Sequence, residues 1–144
     1  TFAESCTGGA LCYYFTSKNG ASNILGGSLV TYSNEIKENW LAVEEETLIE
    51  HGAVSSSVVQ QMCDGALSVS EADFAISISG IAGDGGGTEQ KPVGTVYVGI
   101  KTKDGYSEVN HLQLNGDRNY VQNQSVLYAV KILLLSDKDI FFEI

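Results

Sequence analysis

The chain has 144 residues, is 43% hydrophobic and 18% charged, and carries a formal net charge of −10. That length supports one domain with its own core and is short for two. The charge repels phosphate backbones and anionic lipid, and no run approaches a membrane span or a secretory signal, so neither nucleic acid nor membrane is an expected partner.

Three cysteines, Cys6, Cys12 and Cys63, cannot all pair, and no CxxC spacing occurs. Reduced thiols in a cytoplasmic protein are the expectation. The chain does not begin with Met and starts inside an apparent strand, Thr1-Phe2-Ala3. An absent N-terminal piece is therefore predicted.

Glu4-Ser5-Cys6-Thr7-Gly8-Gly9 follows that strand and reads as a sharp turn into a helix over Gly9 to Thr16. Such a turn exposes a side chain and several backbone N–H groups, which suits a nucleophile or an anion; an ordinary capping serine has the same pattern. Lys18 to Ser22 is a loop, and Gly26 to Tyr32 reads as a strand. Ser33 or Asn34 can cap a short helix through Trp40, and Val43 to Glu50 forms another, stopped by Gly52. Ser55 or Ser56 caps a longer helix, in which Val58, Val59, Met62, Cys63 and Ala66 recur at helical spacing. Phe74 to Ser79 is a short apolar run expected to be a central strand, ending in the glycine-rich segment 80–87. Gly94 to Thr102 is a strand, Asp104-Gly105 a hairpin turn, and Tyr106 to Leu114 the antiparallel partner. A last helix runs from Arg118 to about Leu135, with an apolar end expected to be buried or covered by a second subunit, most simply in a homodimer.

This order predicts a single domain over 1–144, a three-layer α/β/α sandwich with a mixed sheet. Ligands in such sheets sit beyond the strand ends. If the strands before Ser5, Tyr32 and Ser79 are parallel, their three turns share one rim.

A serine nucleophile needs a base. His51 sits at an expected helix C-terminus, where a cation is favoured for structural reasons, and His111 lies in the hairpin, so a Ser-His-Asp triad has little support. Lys37 is the alternative, provided that burial keeps it neutral; a solvated lysine between Glu35 and Glu38 fits the same spacing. Tyr32 precedes it and could orient the amine or relay a proton. Cys6 is a second possible nucleophile, although a small buried filler explains it as well. Ser79-Gly80-Ile81-Ala82-Gly83 could present backbone N–H groups to an anion, or be a flexible loop, with Thr88 and Lys91 adding a hydroxyl and a charge. Arg118 could bind a phosphate or pair with Asp117. No cluster has metal-ligand spacing, and the glycine segment is neither a Walker A loop nor a dinucleotide fingerprint.

Taken together, residues 3–9, 30–37, 51–55, 77–83, 91–96 and 116–118 resemble the CinA C-terminal domain family, the nicotinamide-nucleotide amidases. The segments run in family order along nearly the whole chain. The resemblance implies an α/β/α fold and hydrolysis of nicotinamide mononucleotide to nicotinic acid mononucleotide and ammonia, without metal or organic cofactor. It implies Ser5 as nucleophile, Lys37 as base and Tyr32 as assistant. Backbone N–H groups near Thr7, Gly8 and Gly9 would stabilise the oxyanion. Ser79, Gly80, Ile81, Ala82 and Gly83, with Arg118, would hold ribose and phosphate. Three features depart from the family pattern. Asp84 stands where proline is usual, Gln122 where a second arginine is frequent, and the family's N-terminal helix is not in this sequence. The competence and damage link of the family keeps a non-catalytic binding module open as an alternative, beside an amidase with another substrate.

Overall fold

A computed structural model describes residues 1–136. Five strands form one mixed sheet in the order β2-β1-β3-β4-β5. They are β1 (Phe2–Glu4), β2 (Ser28–Val30), β3 (Phe74–Gly80), β4 (Thr95–Thr102) and β5 (Ser107–Gln113). β1 pairs parallel with both β2 and β3, while β3–β4 and β4–β5 are antiparallel. The expected mixed sheet and the shared rim are both present.

Helix α1 (Ala10–Thr16) and helix α5 (Arg118–Ser136) contact each other, and α5 contacts β3 and β4. Helices α2 (Asn34–Leu41) and α3 (Glu45–His51) both pack on α4 (Ser56–Ser70), which lies on β1, β3, β4 and β5. The period-2 alternation of the strands feeds two cores. Phe2, Ile76, Ile78, Val96, Val98 and Ile100 join Leu11, Val121 and Ala129 in one. Ala3 and Ala75 join Val58, Val59, Met62, Cys63 and Ala66 in the other, so the apolar stripe read from the α4 segment is the face it buries.

Helix starts follow the cap chemistry. Ser33 accepts from the Ile36 N–H at 3.2 Å and Ser55 from the Val58 N–H at 3.3 Å, which satisfies donors the helices leave unpaired. At the far end of α5 Ile132 is buried, while Leu134 and Leu135 stay largely exposed.

Gly65 sets how closely α2 and α4 approach. A Cβ there would stand 2.1 Å from the Leu41 carbonyl oxygen, a backbone atom that cannot swing away. Gly65→Ala is expected to cost about 2 kcal/mol or more by overpacking, read as a lower urea midpoint at unchanged m-value.

Candidate active site

The chain leaves β1 for β2 on one side and returns from β2 to β3 on the other. The carboxyl end of β1 is therefore a topological switch point, where open α/β sheets form their ligand crevice. Ser5 is the first residue past that end. Its N–H donates to the Ile78 carbonyl at 3.0 Å, which holds it to β3. The chain then turns within residues 5–9: the Gly8 N–H donates to the Ser5 carbonyl at 3.0 Å, and Gly8 and Gly9 take φ of +59° and +100°. Those angles suit residues without a Cβ.

Glu4 anchors this turn from below. It is fully buried, and its carboxylate accepts from Thr7 Oγ1 and the Leu11 N–H at 2.8 Å each, the Cys12 N–H at 3.1 Å and Ser28 Oγ at 2.8 Å. It thus caps the first turn of α1 and ties it to β2. Sequence reasoning gave Glu4 no role. The signal was there: a carboxylate inside a short apolar strand is rarely buried without dedicated donors.

Lys37 lies in the first turns of α2 and is 1% exposed. Glu35 faces solvent, but Lys37 turns inward over the end of β1. Its Nζ lies 3.1 Å from Ser5 Oγ, 2.8 Å from the Thr31 carbonyl and 3.1 Å from the Tyr32 carbonyl. Among the described residues no carboxylate pairs with it. Burial pushes its pKa down from 10.5 to about 8, against an opposing pull from Cys6. Two of its neighbours are carbonyls, which only accept. A neutral amine spends both N–H groups on them, and its lone pair is left facing the Ser5 hydroxyl.

Cys6 does not compete as nucleophile. Burial pushes its thiol up to about 12, so it stays protonated at neutral pH. His51 ends α3 beside Glu50, and His111 stacks on Tyr97 with ring centroids 4.6 Å apart. Neither lines the cleft.

The cleft, of about 260 Å³, brings together Ser5, Cys6, Tyr32, Lys37, Ser79, Gly80, Ile81, Ala82, Gly83 and Arg118, with Asp84 on its wall. Thr7, Gly8 and Gly9 are not among its lining residues, and no hydrogen bond of the described residues uses the Thr7 or Gly9 N–H. Tyr32 meets Lys37 through its main-chain carbonyl; its side chain is 68% exposed at the mouth. Ser79 Oγ donates to the Ala53 carbonyl at 2.8 Å, which fixes the loop before α4 to the end of β3. The Ile81 N–H is spent on the Thr95 carbonyl at 2.9 Å, while no bond of the described residues uses those of Ala82 and Gly83.

Asp117 caps α5 by accepting from the Tyr120 N–H at 2.8 Å and forms no ion pair with Arg118. The Arg118 guanidinium instead lies across Gly83, where a Cβ would come within 2.8 Å of Nε. Lys91 is outside the cleft; its Nζ donates to the His51 carbonyl at 2.5 Å. Gln122 is also outside it, and its Nε2 donates to the Cys6 carbonyl at 2.8 Å. Among the described residues no group of three or more His, Cys, Asp or Glu side chains could hold a metal ion. No helix there is long and apolar enough to cross a membrane.

These features define an α/β/α sandwich with a buried serine–lysine pair at its switch point and a glycine-rich loop and an arginine opposite. Solved structures of the CinA superfamily share the architecture. The competence/damage inducible protein CihA from Agrobacterium tumefaciens superposes with a TM-score of 0.91 at 38% identity, over 93% of this chain and 82% of that one. The competence damage-inducible protein A from Klebsiella pneumoniae gives 0.88 at 39%, over 92% and 81%. The chain belongs to the CinA C-terminal domain family, whose model matches residues 1–136. It is 47% identical to the nicotinamide-nucleotide amidohydrolase PncC of Escherichia coli K12, over 92% of this chain and 81% of that protein. It is 44% identical to a CinA-like protein of Prochlorococcus marinus, over 94% of this chain but 33% of the relative. The chain thus spans about a third of some curated relatives and most of others.

Proposed function

We propose that the protein is an amidohydrolase that converts nicotinamide mononucleotide to nicotinic acid mononucleotide and ammonia through an acyl-enzyme. The observation that carries this reading is the 3.1 Å approach of Lys37 Nζ to Ser5 Oγ with no carboxylate on the amine. An ion-paired lysine would stay charged; this one can give up its proton near neutral pH.

Ser5 Oγ attacks the carboxamide carbon while its proton passes to Lys37 Nζ. The carbonyl π pair moves onto oxygen, and unspent backbone N–H groups of the turn at Cys6, Thr7 and Gly9 are the candidate donors to it. As the intermediate collapses, the C–N bond breaks and Lys37 protonates the departing nitrogen, releasing ammonia. Water then attacks the ester, again giving its proton to Lys37. That proton returns to Ser5 Oγ as the acid leaves. Tyr32, at the mouth, would cover the pyridine ring and assist proton movement. Arg118 and the Ala82 and Gly83 N–H groups would hold the phosphate.

The test is incubation with the mononucleotide, following ammonia and the acid product together. Arg118→Ala is expected to raise KM by about 10- to 100-fold with a smaller change in kcat, because a charge-assisted phosphate contact serves binding in ground and transition states alike. The same variant should act on the riboside almost as wild type does.

Asp84 favours a second reading. It lines the cleft with Arg118, and a negative residue there disfavours a phosphate, so an amidase for a non-phosphorylated amide also fits. Faster turnover of the riboside than of the mononucleotide would select it. Thermal stabilisation by the mononucleotide without product would instead indicate a binding module.

A further inference from the structure

Gln122 is a half-buried residue on α5 that the reaction scheme does not use. Its Nε2 donates to the Cys6 carbonyl at 2.8 Å across 116 residues of sequence. No other hydrogen bond among the described residues joins α5 to residues 5–9. We propose that Gln122 is a positioning residue: by holding the Cys6 carbonyl it fixes the Cys6–Thr7 peptide and, through it, the placing of the neighbouring Ser5 hydroxyl in the cleft. The proposal rests on the reading of Ser5 as a nucleophile and adds a residue to it.

The carbonyl and N–H of a trans peptide point in opposite directions. Fixing the Cys6 oxygen therefore fixes where the Thr7 N–H points. Thr7 is buried, its hydroxyl is spent on Glu4, and no described residue accepts from its N–H. Buried N–H groups are normally paired, so one held in place and left open is suited to a charge that arrives later. A hydrogen bond accepted on the carbonyl side also polarises the peptide and makes its N–H a better donor.

The turn is thereby held from two directions. Glu4 grips Thr7 Oγ1 from the sheet side, and Gln122 grips the Cys6 carbonyl from α5. Arg118 lies one turn before Gln122, at the i and i+4 positions that share a helix face. The first turns of α5 so carry both a cation in the cleft and the brace on the nucleophile turn.

Three variants test this, each with two readouts. Gln122→Ala removes the donor, Gln122→Glu replaces it with an acceptor that repels the Cys6 carbonyl, and Gln122→Arg keeps N–H donors at that position. With nicotinamide mononucleotide, kcat is expected to fall by about 10- to 100-fold in Gln122→Ala and at least as far in Gln122→Glu, with KM within about threefold of wild type. Gln122→Arg should recover to within about fivefold, and the pH midpoint of Gln122→Ala should stay that of wild type, because the amine is untouched and no charge is added.

The second readout does not depend on the natural substrate. A fluorophosphonate forms a P–O bond to Ser5 Oγ as fluoride leaves and the serine proton goes to Lys37, and intact mass gives the rate. Labelling about tenfold slower in Gln122→Ala than in wild type, with recovery in Gln122→Arg, supports the proposal. Equal labelling rates in wild type and Gln122→Ala overturn it while leaving Ser5 as nucleophile. A rise in KM alone overturns it by making Gln122 a substrate contact. Loss of rate that Gln122→Arg fails to restore, together with a lowered melting temperature, overturns it in favour of a purely structural role. Wild type that is neither labelled nor active overturns the nucleophile reading, and the proposal with it.

Discussion

Ser5→Ala is expected to abolish ammonia release from nicotinamide mononucleotide, by about 10⁴-fold or more, without loss of the fold. The size follows from what Ser5 does. On the proposed mechanism it forms and breaks the covalent bond in both half-reactions, and Cys6 beside it is a buried thiol pushed up to about 12 that would not take its place. The fold should survive because Ser5 Oγ is hydrogen-bonded to Lys37 alone among the described residues. The main-chain bonds that shape the turn, from Ser5 N–H to Ile78 and from Gly8 N–H to the Ser5 carbonyl, involve no side chain and persist in alanine. Circular dichroism and the melting curve check the second half of the expectation. Activity within tenfold of wild type would remove Ser5 from the chemistry.

Lys37→Met is the second large effect, about 10²- to 10⁴-fold in kcat, the range of a positioned general base. Wild-type kcat/KM should rise with pH by about tenfold per unit below the pKa of about 8 and flatten above it, since the base must be neutral. What activity Lys37→Met retains should lack that limb. Stability carries the same signature with a definite sign. The folded pKa of about 8 lies below the ordinary value of 10.5, so between them the unfolded chain binds more protons than the folded one. Folding is therefore increasingly favoured as pH rises through that window. The stability of wild type relative to Lys37→Met should climb from about pH 8 to 10.5 and be level below it. Taking the difference between the two proteins removes the other groups that titrate there. Matched urea titrations at several pH values measure it. A flat difference would mean that Lys37 is not held away from water.

Much of this was legible in the residues, for identifiable reasons. Strands β3 to β5 were marked by β-branched runs and the Asp104-Gly105 turn, and the α4 face by helical spacing. Even Lys37 was narrowed to two readings, base or solvated residue. Spacing alone could not choose between them, because the choice depends on where β2 ends relative to β1. The register that pairs Glu4 with Val30 places the Thr31 and Tyr32 carbonyls over the end of β1, and Lys37 follows them inward. The partners of Glu4 and Gln122 were illegible for a similar reason. Glu4 reaches donors in α1 and β2, and Gln122 reaches a carbonyl 116 residues away. Local pattern contains neither contact. At position 122, read as a lost positive contact, the structure has a glutamine whose Nε2 donates to the Cys6 carbonyl.

On the proposed mechanism Lys37 is the base for Ser5. The most direct test is titration of the Lys37 side chain by NMR of its labelled Cε, set against the pH profile of ammonia release. A Lys37 pKa of about 8 that coincides with the kinetic midpoint is the predicted result. A Lys37 pKa near its ordinary 10.5, with ammonia release already at full rate at neutral pH, would remove Lys37 as the base.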